Sequence, residues 1–250
     1  MGPSEGDFVM DFLGEVFAFF ADGANWVGSA GILNRTFEHV GLSAFSMVVA
    51  GLIAIPPALF LGHTGRGGFF AVSVVNIGRA VPSFAIVALA LPVSINLGLG
   101  LGFWPTFLAL VALAVPPMFT NTYTGVREVD PGTVEAARGM GMTGGEILRG
   151  IEMPLASPVI LAAVRVASVQ VVATATLGAL VAWGGLGRYI VDGFSQGDNV
   201  EVFVGGVLVA ALAVFTELFF GFVERRAVPS GLRVAASVGD GQIKILPQPS

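Results

Sequence analysis

The sequence predicts an all-α membrane protein with about five transmembrane helices. Three observations carry that expectation. Only 12% of the 250 residues are Asp, Glu, Lys or Arg, while 54% are apolar and a further 35 are glycine. Soluble domains hold roughly 25% charged residues, and a chain of this length would need them to cover its surface. Second, five stretches approach the about 20 apolar residues that a helical span takes. Third, the bases are sorted along the chain in a way that one orientation explains.

Taken in order, residues 1–36 are expected to form an extracytoplasmic N-terminal segment with an amphipathic helix. Phe8 to Phe20 reads FVMDFLGEVFAFF, with Asp11 and Glu15 on one helical face. That suits a helix lying in the interface; a poorly ordered tail is the alternative. Met1 to Asn34 holds no Lys or Arg, so the basic region of a signal peptide is missing. Residues 37–228 read as the transmembrane domain, with spans at about 40–61, 69–91, 103–121, 155–183 and 202–223. The first span is free of charge. Arg79 interrupts the second, Arg165 lies in the fourth and Glu217 in the fifth. Residues 229–250 read as a flexible cytoplasmic tail.

With five spans the termini lie on opposite sides. Placing the C-terminus inside puts Arg66, Arg127, Arg138, Arg149, Arg225, Arg226, Arg233 and Lys244 in the cytoplasm and only Arg35 and Arg188 outside. The positive-inside rule therefore favours a multi-pass protein of the cell (plasma or inner) membrane, with its N-terminus outside and its C-terminus cytoplasmic. Most of the outer charge is acidic, from Asp11 and Glu15 to Asp192, Asp198 and Glu201.

Residue counts exclude several chemistries. There is no Cys, hence no disulfide or thiolate site, and the two histidines are too few for a His-based metal centre. The net charge of −5 argues against nucleic-acid binding. His39 and His63 flank the first span and read as interface residues.

The polar part of the chain is the cytoplasmic segment 125–154, GVREVDPGTVEAARGMGMTGGEILRGIEMP. Asp130 can cap a helix opened by Pro131. Gly139 and Gly141 can adopt the left-handed stop. Thr143 and Glu146 have capping-box spacing and open a second helix, with Pro154 and Pro158 bounding its end. The result is a compact helix–turn–helix knob carrying Val134, Met140, Met142, Ile147, Leu148 and Ile151, interleaved with Arg138 and Arg149. Such a knob either docks into a partner's groove or is a loop packed on the bundle.

Glu135-Ala136-Ala137, then Gly141, then Ile151 and Met153-Pro154, reproduce without gaps the EAA motif of ABC-importer permeases. Met153 stands where that motif usually has Leu, a volume-conserving swap. Other segments resemble the glycine betaine/carnitine/choline (quaternary-amine osmoprotectant) branch: Val81-Pro82-Ser83-Phe84, Asn121 to Val126, EAARGMGM from Glu135, Pro154 to Ile160, and Gly184 to Gly187. The resemblance covers roughly residues 37–228.

The resemblance implies the ABC-importer (type I, MetI-like) permease fold and a set of partners. These are a second permease subunit, identical or paralogous, two ATP-binding subunits and an extracytoplasmic substrate-binding protein. It also implies that the loop couples to the ATPase through Glu135, Ala136, Ala137, Gly141, Thr143, Glu146, Ile151 and Pro154. Residues Thr143 to Glu152 would form the coupling helix. No cofactor is expected in this chain; ATP and Mg belong to the partner, and no GxxxxGK[ST] loop is present.

Individual residues keep two readings. Glu135 either fixes the loop or is a solvated helix charge. Arg79, Arg165 and Glu217 either snorkel or line a pathway. Pro56-Pro57, Pro82 and Pro116-Pro117 are hinges or set helix direction. Polar groups in the spans bond between helices or line the pathway; Asn76, Pro82, Ser83, Asn121, Tyr123 and Thr174 are the pathway candidates. Trp183 and Tyr123 are candidates for an aromatic cage, although that cage is expected on the binding protein. The alternatives to an osmoprotectant importer are an importer for another small solute such as an amino acid, an ion-coupled secondary transporter, or a membrane scaffold that recruits a partner through the loop.

Overall fold

The computed structural model describes residues 5–228; the tail 229–250 lies outside them. Its elements are α1 (Glu5–Ala21), α2 (Ile32–Thr64), α3 (Gly68–Gly78), α4 (Ser83–Asn96), α5 (Phe103–Arg127), α6 (Pro131–Gly139), α7 (Gly144–Ile147), α8 (Met153–Thr174), α9 (Gly187–Gln196) and α10 (Asn199–Ala227). A π turn at Leu148–Glu152 joins α7 to α8, and a 3-10 turn at Ala175–Val181 follows α8.

Four helical runs are long and apolar enough to cross a bilayer alone: Ile32–Thr64, Phe103–Arg127, Gly144–Val181 and Asn199–Ala227. The expected second span, 69–91, is not one helix. It is broken into α3 and α4, which meet at 83°. Pro82 is the cause: it offers no N–H and pushes Val81 out of the helical region. The backbone tightens before the break, with Arg79 N–H on Asn76 O and Ala80 N–H on Ile77 O. The other candidate hinges do not break their helices; Pro56-Pro57 lie within α2 and Pro116-Pro117 within α5.

At 1.5 Å per residue α2 is about 50 Å long, so it extends well past a hydrocarbon core of about 30 Å. One of its faces is small at every fourth position: Ser46, Ala50, Ala54, Ala58 and Gly62, all buried. This seam lets α5 approach closely, the packing mode that replaces the hydrophobic effect between helices in lipid. Leu110, Ala114 and Met118 of α5 share its core. A Cβ on Gly62 would stand 2.8 Å from Val126 Cβ, so the two helices approach closely where they near the loop. The hub is α5, against which α2, α3, α4 and α8 all pack.

On the other flank α10 packs on α8 and α9, and α1 reaches α10 through Phe12 and Phe203, whose rings meet edge to face. Arg165 is paired with acids of α10. Its Nε donates to Glu217 Oε1 at 2.8 Å and its Nη1 to Glu224 Oε2 at 3.1 Å, tying α8 to α10. Pairing of opposite charges offsets the cost of placing each in an apolar layer. The turn after α8 is held by the opposite end of α2. His39 is buried; its Nε2 donates to Val172 O at 2.8 Å and its Nδ1 accepts Leu186 N–H at 3.2 Å. Glu38 accepts Gly185 N–H at 2.8 Å. The helix α9 is an addition to the expected set, since a short mixed run such as GRYIVDGFSQ does not read as a span.

The seam makes a direct prediction. Ala54→Leu inserts a branched side chain where none fits and costs about 1–3 kcal/mol. A thermal melt of the detergent-solubilised protein should show a lower midpoint; an unchanged midpoint would show that α2 and α5 do not interlock there.

Candidate functional site

The 125–154 loop is built from its caps. Asp130 Oδ2 accepts Thr133 N–H at 2.8 Å, and Pro131 opens α6. That backbone bond holds the Asp130 carboxyl below the usual range. Gly139 stays helical, and Gly141 alone turns the chain, at φ +88°. A side chain there would clash with its own backbone. Thr143 N–H and Oγ1 both donate to Glu146 Oε2 at 2.7 Å, the capping box the sequence spells. These bonds likewise hold the Glu146 carboxyl low.

The second loop helix is not a separate knob. From Gly144 the chain runs as one helix into the fourth span and on to Val181. Pro154 and Pro158 do not bound it. Met153 N–H bonds Leu148 O, five residues back, so a widened turn precedes Pro154 and makes room for its ring.

Glu135, Ala136, Arg138, Met140, Gly141, Thr143, Glu146 and Arg149 are exposed. Met140 is 76% exposed, whereas Ile147 and Ala137 are fully buried. Ile151 is half-buried and Pro154 exposed. Behind α6 lies a cavity of about 200 Å³, bordered by His63, Arg127, Glu135, Arg138 and Glu152. His63 closes it from α2; its Nδ1 lies 2.6 Å from Glu152 Oε2.

The pathway candidates separate. Ser83 lines a cavity of about 220 Å³ at the break between α3 and α4, with Arg79, Pro116, Pro117 and Gln170. Pro82 stands beside it as the N-cap of α4. Asn76 Oδ1 instead accepts Thr120 Oγ1–H at 3.4 Å, and Asn121 Nδ2 turns back to Pro117 O at 2.8 Å. Tyr123 fills the space over Gly68. Thr174 ends α8 half-buried. Trp183 stacks edge-on with Phe103, at the far end of α5 from Tyr123, about 30 Å away by helical rise, so the two cannot share a cage. The residue that sequence reasoning missed is Gln170, and its signal was present: a lone amide inside the apolar run VASVQVVA.

The family model described as binding-protein-dependent transport system inner membrane component matches residues 43–229. The chain belongs to this family. The permease is 34% identical over 202 residues to the choline transport system permease protein OpuBB of Bacillus subtilis, covering 81% of this chain and 91% of the relative. It is 33% identical to the carnitine transport permease protein OpuCB of Listeria monocytogenes, covering 84% and 94%. It is 32% identical to the osmoprotectant import permease protein OsmY of Salmonella typhimurium, covering 77% and 80%. Among solved structures, an inward-facing form of the MetNI methionine ABC transporter superposes with a TM-score of 0.68 at 22% identity, over 79% of this chain and 96% of that one. An amino acid ABC transporter with histidines gives 0.66 at 18%, over 86% and 98%. At those identities the likeness shows the MetI-like permease fold. The permease is thus a membrane subunit of an ABC importer, which sets aside the secondary-transporter and scaffold readings.

The turn at Gly141 can be tested on its own. Gly141→Val forces a branched residue to positive φ and costs about 1–3 kcal/mol locally. Amide exchange over 140–147 should accelerate while the spans stay protected. Unchanged exchange would show that the turn does not depend on glycine.

Proposed function

We propose that this permease imports quaternary-amine osmoprotectants of the glycine betaine, choline or carnitine type, driven by ATP hydrolysis in a partner subunit. The observation that carries the solute class is the set of relatives at 32–34% identity, named for choline, carnitine and osmoprotectant transport. The EAA positions support the coupling. Glu135, Ala136, Gly141, Thr143 and Glu146 are all exposed, on a loop that is continuous with a span.

In this reading the N-terminus is extracytoplasmic and the loop faces the cytoplasm. Two ATP-binding subunits, which hold ATP and Mg, seat against α6 and α7 of two permease chains. The second chain is identical or paralogous, and an extracytoplasmic binding protein delivers the solute. Closure of the ATPases pushes α7 and, through the unbroken helix, α8. Because α8 packs on α5, the push reaches the broken pair α3/α4. The cavity at that break, with Arg79, Ser83 and Gln170, is the pathway segment this chain supplies, as expected where a discontinuous helix meets polar side chains inside a membrane.

Uptake of labelled glycine betaine by cells expressing the complete importer should require the ATP-binding subunit and the binding protein. Glu135→Lys should reduce it strongly while membrane insertion stays normal. Uptake that persists without the ATP-binding subunit would overturn the coupling, and uptake of amino acids but no quaternary amine would overturn the solute class.

A further inference from the structure

We infer that His63 and Glu152 form a positioning pair that ties the coupling helix to α2, so that a push on α7 moves the first span as well as the fourth. The inference rests on the coupling role proposed for the loop and adds two residues. His63 lies outside the EAA pattern altogether, and Glu152 fills a position that the pattern leaves free.

The geometry is specific. His63 occupies the last turn of α2, and Glu152 the last position of the π turn that carries α7 into α8. Their side chains meet at 2.6 Å, Nδ1 to Oε2. With the carboxylate ionised, the imidazole Nδ1–H donates. Glu152 is the only buried acid among the described residues, at 4% exposure. Burying a carboxylate is costly without a partner, and this one is met by a single imidazole from a different span. The other edge of that imidazole faces the start of α7, where a Cβ added to Gly144 would stand 3.0 Å from Nε2. His63 is therefore held between both ends of the α7–π segment. A shift of that segment toward or away from α2 must carry the ring along or break the bond.

The surroundings fit transmission rather than mere packing. Arg127 from α5 and Glu135 and Arg138 from α6 border the same cavity as the pair. The EAA glutamate thus lies on the same cavity wall as the pair. On the other side, Gly62 next to His63 is the last member of the small-residue seam that presses α2 onto α5. The pair joins the proposed docking motif to a close contact between α2 and α5.

The test uses the complete importer reconstituted in liposomes, and reads solute imported per ATP hydrolysed. His63→Ala should lower that ratio by about tenfold or more, the scale of a typical coupling energy, with hydrolysis retained. His63→Asn, which keeps a donor near the Nδ1 position, should recover most of it. Gly144→Ala removes no polar group and crowds Nε2, so it should lower the ratio in part. A His63→Ala importer with the wild-type ratio overturns the inference. So does a parallel loss of uptake and hydrolysis, or a His63→Asn importer no better than His63→Ala. If His63→Ala does not assemble, Gly144→Ala decides: a lowered ratio supports the pair and a wild-type ratio overturns it. Gly141→Val is run alongside. If it uncouples and His63→Ala does not, the pair alone fails; if it too transports normally, the coupling role of the loop fails.

Discussion

Inside a bilayer every backbone N–H and C=O must find its partner within the protein, and the architecture follows from how this chain meets that demand. Long helices meet it trivially. The informative places are the departures from regular helix, and polar side chains gather at each of them. The break at residues 79–82 opens on a cavity with Arg79, Ser83 and Gln170. The turn after α8 is held by Glu38 and His39 of α2. The π turn ahead of Pro154 is held by Glu152 against His63. Two of these three ties come from opposite ends of α2, which makes the first span a splint for the rest.

That splint works only because α2 and α5 lie so close. Ser46, Ala50, Ala54, Ala58 and Gly62 contribute little apolar area, and in lipid they need not. Their value is that they let two backbones approach, so that dispersion contacts run the length of the seam. The hub position of α5 then links the broken pair α3/α4 on one side to α8 on the other. The exposed 125–154 loop and the cavity at the break are in this way two ends of one packed unit.

Much of this was legible in the sequence. The Asp130–Pro131 start, the Gly141 turn and the Thr143–Glu146 box are local, and local chemistry needs no knowledge of the fold. The ordering of spans was readable from apolar run length. What was not readable depends on distance in space. A window of hydropathy averages across Pro82 and sees one span where two helices meet at 83°. Arg165 looked like a lone charge because its partners, Glu217 and Glu224, lie on another helix. The contacts of His63 and His39 could not be read because Glu152 and Val172 are remote in sequence. Pro154 looked like a boundary because a π turn leaves no mark in composition. The small-residue seam, by contrast, was visible at every fourth position of α2, and only attention to what is large and polar passed over it.

In the proposed coupling, α7 and α8 move as one rod. The chain has no cysteine, so a pair of introduced ones reports without background. Spin labels at Gly145→Cys in α7 and Ala173→Cys near the end of α8, both exposed positions, measure the length of that rod. Double electron–electron resonance on the reconstituted importer, without nucleotide and with ATP trapped, should give the same distance distribution in both states. A distance that changes with ATP would place a hinge at the π turn and contradict the account.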